Sequence, residues 1–398
     1  MADYDIITVG GGLGGAALAK AMAERGASVL ALERETQFKD RVRGEGMTPW
    51  GVAVARELGI LGMLLSSCAH ELPWWDIAMN GMQVAHRPLA ETNPHGTPAI
   101  SFYHPAMQEA LLGAAAAAGA DVRRGVRARD VKPGSPATVT VDENGGTKEF
   151  SARLVVGADG RGSLVRKWSK FDERQDPESL RIAGVLFEDM HGAGTDAVNL
   201  MFNIDSGREA ITFPQGGGKV RTYVITRHDE GIRLQGEKDV GQFIEIATSC
   251  GVPKEFFVGA KPAGPLATFE GAACWVEHPY RDGVALIGDA ASTSDPSWGQ
   301  GLSLTLHAAR LLRDALVEND DWDAAGKAYA AAQNASFMQM HKVESVFEQL
   351  LMGQGPEAEA KRAQALPIMA QDPTALPDHM FSGPDLPIEG EIARIYAS

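Results

Sequence analysis

The chain has 398 residues, 44% of them hydrophobic, so it is long enough to bury a large core, and it carries a net charge of −15 from 52 acidic and 37 basic residues. That balance excludes a nucleic-acid partner or an anionic membrane surface, either of which needs a basic face. Three widely spaced cysteines, Cys68, Cys250 and Cys274, form no CxxC pair and predict reduced thiols with neither a disulfide framework nor a metal site. No run of about 18 uncharged apolar residues predicts a membrane span, and the acidic start at residues 1–5 is unlike a signal peptide, so a cytoplasmic protein is expected.

In chain order, residues 6–9 predict a short β-branched strand that runs into Gly10-Gly11-Gly12-Leu13-Gly14-Gly15 and then a helix with Ala16, Leu18, Ala19 and Met22 at helical spacing. Gly26 ends the helix, and residues 28–32 form the next strand, closing on Glu33. This is Gly10-x-Gly12-x-x-Gly15 in a strand-turn-helix setting, with an acid 23 positions after the first glycine. The glycines permit a tight turn and close approach of a pyrophosphate to a helix N-terminus, and Glu33 suits ribose hydroxyls without a 2′-phosphate. FAD and NAD both fit.

Arg41-Val42-Arg43 places two arginines on one side of an extended segment, where they reach a pyrophosphate, reach a second dinucleotide, or stay solvated. Thr48 and Pro49 predict the start of a helix running to Gly59. Residues 68–100 are irregular; Trp74 and Trp75 fill a core in preference to lining a pocket. Residues 105–119 predict an alanine-rich helix, and 121–150 a small meander with a polar turn at 143–146. A second apolar strand, 154–157, ends in Asp159-Gly160, with Ser163 and Arg166 three residues apart on one helical face. Residues 182–226 alternate as an antiparallel sheet, with a helix over 239–251.

A third apolar strand, 284–287, delivers Gly288-Asp289 to a loop containing Pro296, Trp298, Gly299, Gln300 and Gly301, followed by a long helix through Leu302, Leu306, Leu312 and Leu316. Glycine and proline let this backbone lie against a flat ligand, and the helix N-terminus suits an anion. A plain strand-loop-helix junction capped by Asp289 or Asp295 remains open. The last helices span 322–351, and the proline-bearing tail from 353 predicts an irregular arm.

The Gly10–Gly15 fingerprint with Glu33, Asp159-Gly160, and Gly288-Asp289 through Gly301 occur in an order and spacing that resembles the single-component FAD-dependent aromatic hydroxylases, the p-hydroxybenzoate hydroxylase-like flavoprotein monooxygenases, across residues 4–318. The resemblance implies an α/β fold: a GR2-type FAD-binding Rossmann-like domain (1–70, 101–180 and 270–318) interleaved with an antiparallel-sheet substrate domain (71–100 and 181–269), then C-terminal helices and tail (319–398). It implies a cofactor set of Gly10, Gly12, Gly15, Glu33, Arg34, Arg41, Arg43, His104, Gln108, Asp159, Gly160, Gly288, Asp289, Pro296, Gly299, Gly301 and Leu302. The loop of Pro296, Trp298, Gly299, Gln300 and Gly301 would face the flavin.

By the same analogy NADH or NADPH is the transient reductant. Reduced FAD reacts with O2 to a C4a-hydroperoxide, and one oxygen atom passes to an apolar, aromatic or polycyclic small molecule. No metal is implied, and a homodimer is left undetermined. The chain departs from the family's usual His at Ser292, Asn at Ser303, Asp at Ala308 and Arg at His104. Other readings of the same motifs are a geranylgeranyl-reductase-like enzyme, a two-component oxygenase or halogenase, and a non-redox FAD protein. Against the halogenase, Pro73-Trp74-Trp75-Asp76-Ile77 lacks the Trp-x-Trp-x-Ile-Pro pattern of that group.

Overall fold

The computed structural model describes residues 2–143, 145–388 and 390–397. Its first sheet runs Tyr280–Arg281, Val284–Leu286, Gly146–Gly157, Tyr4–Val9, Val29–Glu33, Asp121–Arg124 in space, parallel except at the Tyr280–Arg281 edge. The apolar runs 6–9, 154–157 and 284–287 therefore lie side by side, buried on both faces as central parallel strands are. Their carboxyl ends deliver Gly10, Asp159 and Gly288 to one edge, the place where open α/β sheets bind ligands. Helix Leu13–Ala23 is buried almost all round, which its alanines and glycines permit, and it packs against His104–Ala117 and Gly301–Glu318.

The meander forms as expected: Ala137–Glu143 pairs antiparallel with Gly146–Gly157, and Asn144 of the expected polar turn lies outside the described residues. The segment 68–100 is more regular than its sequence. Trp74–Met79 and Met82–Pro88 form the far end of a second sheet ordered Leu180–Glu188, Val220–Arg227, Arg208–Pro214, Ala197–Asn203, Trp74–Met79, Met82–Pro88. Alternation fails there because Met82–Pro88 is an exposed edge strand with no buried face to mark it. Trp75 is core, edge-on to Phe213 and Phe381 at 6.3 and 5.1 Å, whereas Trp74 stacks on His86 at 4.2 Å.

One face of this sheet is covered by helix Val240–Cys250; the other packs on Val42, Trp298 and the C-terminal segments and lines the cleft. The tail corrects the expectation of an irregular arm. Pro356–Gln371 is a helix with Gly355 and Pro356 at its start, Pro367 is tolerated inside it, and the short helices His379–Ser382 and Glu391–Ala397 follow. Ala365, Ile392 and Tyr396 join the core of the second sheet, so apolar burial, invisible in a proline count, folds the segment.

Candidate active site

The two sheets enclose a cleft of about 540 Å³, lined by strands and loops of both. At one end the glycine turn closes on its neighbours: Gly10 has φ +111°, and a Cβ there would meet Ala158 O at 2.3 Å. A Cβ on Gly15 would meet Gly10 O at 2.0 Å, so Gly15 serves the turn and does not line the cleft. Gly12 faces the cleft, with the Gln108 side chain as its nearest neighbour at 3.6 Å, and it starts helix Leu13–Ala23 without a side-chain cap. The first-turn N–H groups of that helix are thereby left to a ligand. Glu33 accepts hydrogen bonds from the N–H groups of Gly11 and Glu35, both 2.8 Å, tying the turn to the strand end while still reaching the cleft.

Asp159 lies at the cleft, but its carboxylate is engaged within its own loop by Ser163 Oγ (2.5 Å), Leu164 N (2.7 Å) and Val165 N (3.2 Å). Ser163 caps Arg166 N–H, and the Arg166 guanidinium crosses to Ala290 O (3.1 Å) and Glu173 (2.7 Å). The two residues thus do not act as a paired surface; Arg166 clamps the second motif to the third. Gly160 (φ +82°) has nothing within 4 Å of a Cβ position and leaves the cleft open there.

In the third motif, Asp289 projects into the cleft with no hydrogen bond or ion pair to its carboxylate among the described residues. Loss of solvent raises its pKa, and Arg43, Arg161 and Arg166 oppose that rise. Pro296, Gly299 (φ +65°), Gly301 and Leu302 line the cleft; Trp298 and Gln300 do not. Their expected flavin-facing position is corrected by packing. Trp298 turns away onto Phe347 at 6.0 Å, and Gln300 is fully buried, accepting from Trp50 Nε1 (2.8 Å) and donating to Trp298 O (2.9 Å). Gln300 also starts helix Gly301–Glu318 without a side-chain cap. Departures from the family pattern have local partners: Ser292 Oγ accepts from Gln333 Nε2 (3.1 Å), and Ser303 Oγ bonds Thr48 Oγ1 (2.8 Å).

The arginine segment is not extended. Val42 has φ +53°, a conformation β-branched residues rarely take, so Arg41 and Arg43 part company. Arg41 pairs with Glu35 at 2.5 Å near Arg34, while Arg43 enters the cleft with no side-chain partner among the described residues. Desolvation lowers the Arg43 pKa, against the attraction of Asp289.

The loop is held by residues that sequence reasoning missed. Arg221, completely buried, donates to Glu45 (2.6 Å) and Asp40 (2.7 Å), and Tyr223 OH donates to Arg43 O (2.7 Å). The available signal was an arginine inside an apolar strand pattern at 220–225. His104 donates from Nδ1 to Gly44 O at 2.8 Å, a role fixed by its carbonyl partner, and burial drives its pKa down to about 4, leaving it neutral.

The opposite wall comes from the second sheet: Ile182, Ile211, Phe213, Tyr223 and Phe269. The cleft therefore has a cradle of glycines, two uncapped helix starts and two unpartnered opposite charges at one end, and an apolar wall at the other. That donor and acceptor set fits a dinucleotide with a flat ring system.

The FAD binding domain family profile matches residues 3–324. The chain belongs to this family. Curated relatives of the FAD-binding chain include digeranylgeranylglycerophospholipid reductase 2 of Methanococcoides burtonii, 25% identical over 77% of this chain and 73% of that protein. Squalene monooxygenase of Mus musculus is 26% identical over 80% of this chain and 56% of that protein. Among solved structures, p-nitrophenol 4-monooxygenase PnpA from Pseudomonas putida superposes with a TM-score of 0.78 at 18% identity, covering 93% of this chain and 94% of that one. A flavin-dependent brominase superposes at 0.72 with 17% identity, covering 91% and 93%. The expected class A flavoprotein monooxygenase fold is therefore the observed one. No single described helix is long and apolar enough to cross a membrane.

Proposed function

We propose that this FAD-binding protein is a monooxygenase that transfers one oxygen atom of O2 to an apolar aromatic or polycyclic small molecule, with NADH or NADPH as reductant. The observation that carries this reading is the apolar wall of Ile182, Ile211, Phe213 and Phe269 facing the loop of Pro296, Gly299 and Gly301 across one cleft. Gly10, Gly12, Glu33 and Arg34 would hold the ADP half, Asp289 a ribityl hydroxyl, and Arg43 a phosphate. FAD, when bound, supplies the electron transfer and oxygen chemistry.

The chain supplies the surroundings. The uncapped N–H groups at Gly301 present partial positive charge, the apolar wall excludes water, and neutral His104 holds Gly44 in place. Tyr223 is kept protonated by burial and spends its proton on Arg43 O, so it orients the loop and is not a base toward substrate.

The test is turnover under isotopically labelled O2 with a panel of aromatic and polyprenyl compounds. The reading expects one labelled oxygen in the product. The relatives at 25–27% identity that reduce prenyl lipids favour a second reading, in which a polyprenyl compound gains two hydrogens and no label.

A further inference from the structure

Behind the wall of the cleft lie three buried acids, Glu209, Asp295 and Glu344, that no ion pair among the described residues compensates. Helix Trp322–Phe347 buries Gln333, Phe337, Met340 and Glu344, spaced four, three and four residues apart and so aligned on one face. Glu344 occupies a core position of that stripe, 3% exposed, with Oε1 unpartnered. Glu209 is completely buried, and neither of its oxygens has a partner. It shares a strand face with Ile211 and Phe213 of the cleft wall. Asp295 stands between Ser294 and Pro296, which line the cleft, but turns inward to accept from Ser297 N at 2.9 Å.

The groups around these acids are named by their mutual influence. Asp295 feels Glu348 and Arg161, Glu209 and Glu344 both feel Asp295, and Glu344 also feels Glu348 and Asp176. Arg161 is the base acting on Asp295, and its guanidinium is turned to Glu270 O and Ala272 O. An unpaired buried carboxylate is costly, so these acids hold protons. Burial pushes Asp295 up to about 7, and Glu209 and Glu344 well above the usual carboxylate range.

The group has two ends. Outward, His341 lies one turn before Glu344 and meets Asp176 at 2.6 Å, with 20% and 38% of the two side chains exposed. Asp176 N donates to Ala273 O (3.0 Å), which sets it on the small sheet of Arg174–Gln175, Cys274–Trp275 and Ser292–Thr293. Inward, that last strand continues into Ser294, 2% exposed, whose hydroxyl lies beside Glu344 and has no close hydrogen-bond partner. Unpartnered polar atoms in such proximity are where a bridging water is held.

We propose that Asp176 and His341, then Glu344, then the Ser294-Asp295 turn form a proton path from solvent to the cleft, with Glu344 and Asp295 as positioning residues acting through Ser294. The inference rests on the monooxygenase reading, in which substrate, O2, NAD(P)H and one H⁺ become oxygenated substrate, water and NAD(P)⁺. The two electrons come from NAD(P)H. The proton comes from bulk water at His341, and Glu344 is reprotonated from that side after passing one inward.

The test uses the FAD-loaded protein and the variants Glu344→Gln and His341→Gln, the first keeping the size and neutrality of the protonated acid. Anaerobic flavin bleaching by NAD(P)H is expected to be unchanged. Oxygen-dependent turnover of Glu344→Gln should fall about a hundredfold, as loss of a positioned proton donor does. Its solvent deuterium effect should grow, and in Asp295→Asn the limb of the pH profile near 7 should be lost. His341→Gln should give the same pattern more mildly.

Wild-type turnover and deuterium effect in both variants would overturn the path. Should Glu344→Gln not fold, His341→Gln, at a position 20% exposed, and Asp295→Asn decide by the same readouts. A wild-type holoprotein that NAD(P)H does not bleach sinks the monooxygenase reading itself, and the path with it.

Discussion

Arg221 and Glu45 meet at 2.6 Å with neither side chain touching solvent, and Asp40 and Gln215 complete the group. Removing one member leaves a charge stranded in the interior, so Arg221→Met should destabilise the fold by about 3–5 kcal/mol in a denaturant titration. A loss under about 1 kcal/mol would mean that the pair is solvated.

The buried titrating groups act in opposite directions. His104 and His307 are both driven from 6.5 to about 4, so the unfolded chain binds more protons between those values. The stability they contribute is complete above 6.5 and lost as pH falls through about 4. Asp295 goes from 3.8 to about 7, so its contribution is complete below 3.8 and lost as pH rises through 7. Asp295→Asn should therefore flatten the decline in melting temperature over that interval. An unaltered slope would contradict the burial of this acid.

Glycines separate just as sharply. Gly10→Ala places a Cβ 2.3 Å from Ala158 O and should yield protein without flavin, whereas Gly26→Ala, φ +87° with nothing within 4 Å, should keep its flavin at a cost of about 1 kcal/mol. Flavin content per chain checks both.

At the scale of elements, the glycine turn, the strands that end at Glu33, Gly157 and Leu286, and the helix after Gly301 were legible because local chemistry alone specifies them: a β-branched or apolar run, a glycine, then a 3.6-residue period. The strands at 74–88 were not, because an exposed edge carries no alternation. The tail was not, because its helices are fixed by distant contacts: Phe381 against Trp75, and Arg87 to Asp378 at 2.6 Å. Phe381→Ala should cost about 3 kcal/mol and lower the melting temperature. A neutral substitution would show that the tail merely rests on the body.

The arginine loop failed for a related reason. Val42 at φ +53° is held by Arg221 and Tyr223 from a strand some 180 residues away, and no local rule anticipates that. The Trp298 expectation failed because Pro296–Trp298 forms a 3₁₀ turn, in which residues three apart share a side: Pro296 and Gly299 took the cleft and Trp298 the core.

At the scale of the molecule, three motifs separated by well over a hundred residues converge on one sheet edge, which is why their order in the sequence carried the family. The wall opposite them comes from a sheet without any nucleotide motif, so the substrate was legible only as apolar. Although the net charge is −15, Arg34, Lys39, Arg41, Arg43, Arg127 and Arg161 line the cleft beside Glu33, Glu35, Glu45, Asp159 and Asp289, a local excess of one positive charge. FAD association with the apoprotein should accordingly slow as salt is raised. A rate indifferent to salt would mean that these charges do not steer it.

The most direct test of the account is the visible spectrum of the purified protein, followed by anaerobic addition of NADH or NADPH and then air. The account predicts a bound flavin that nicotinamide bleaches and oxygen restores, with peroxide formed when no substrate is present. A flavin that neither nicotinamide bleaches, even with an aromatic panel present, would contradict the self-reducing monooxygenase.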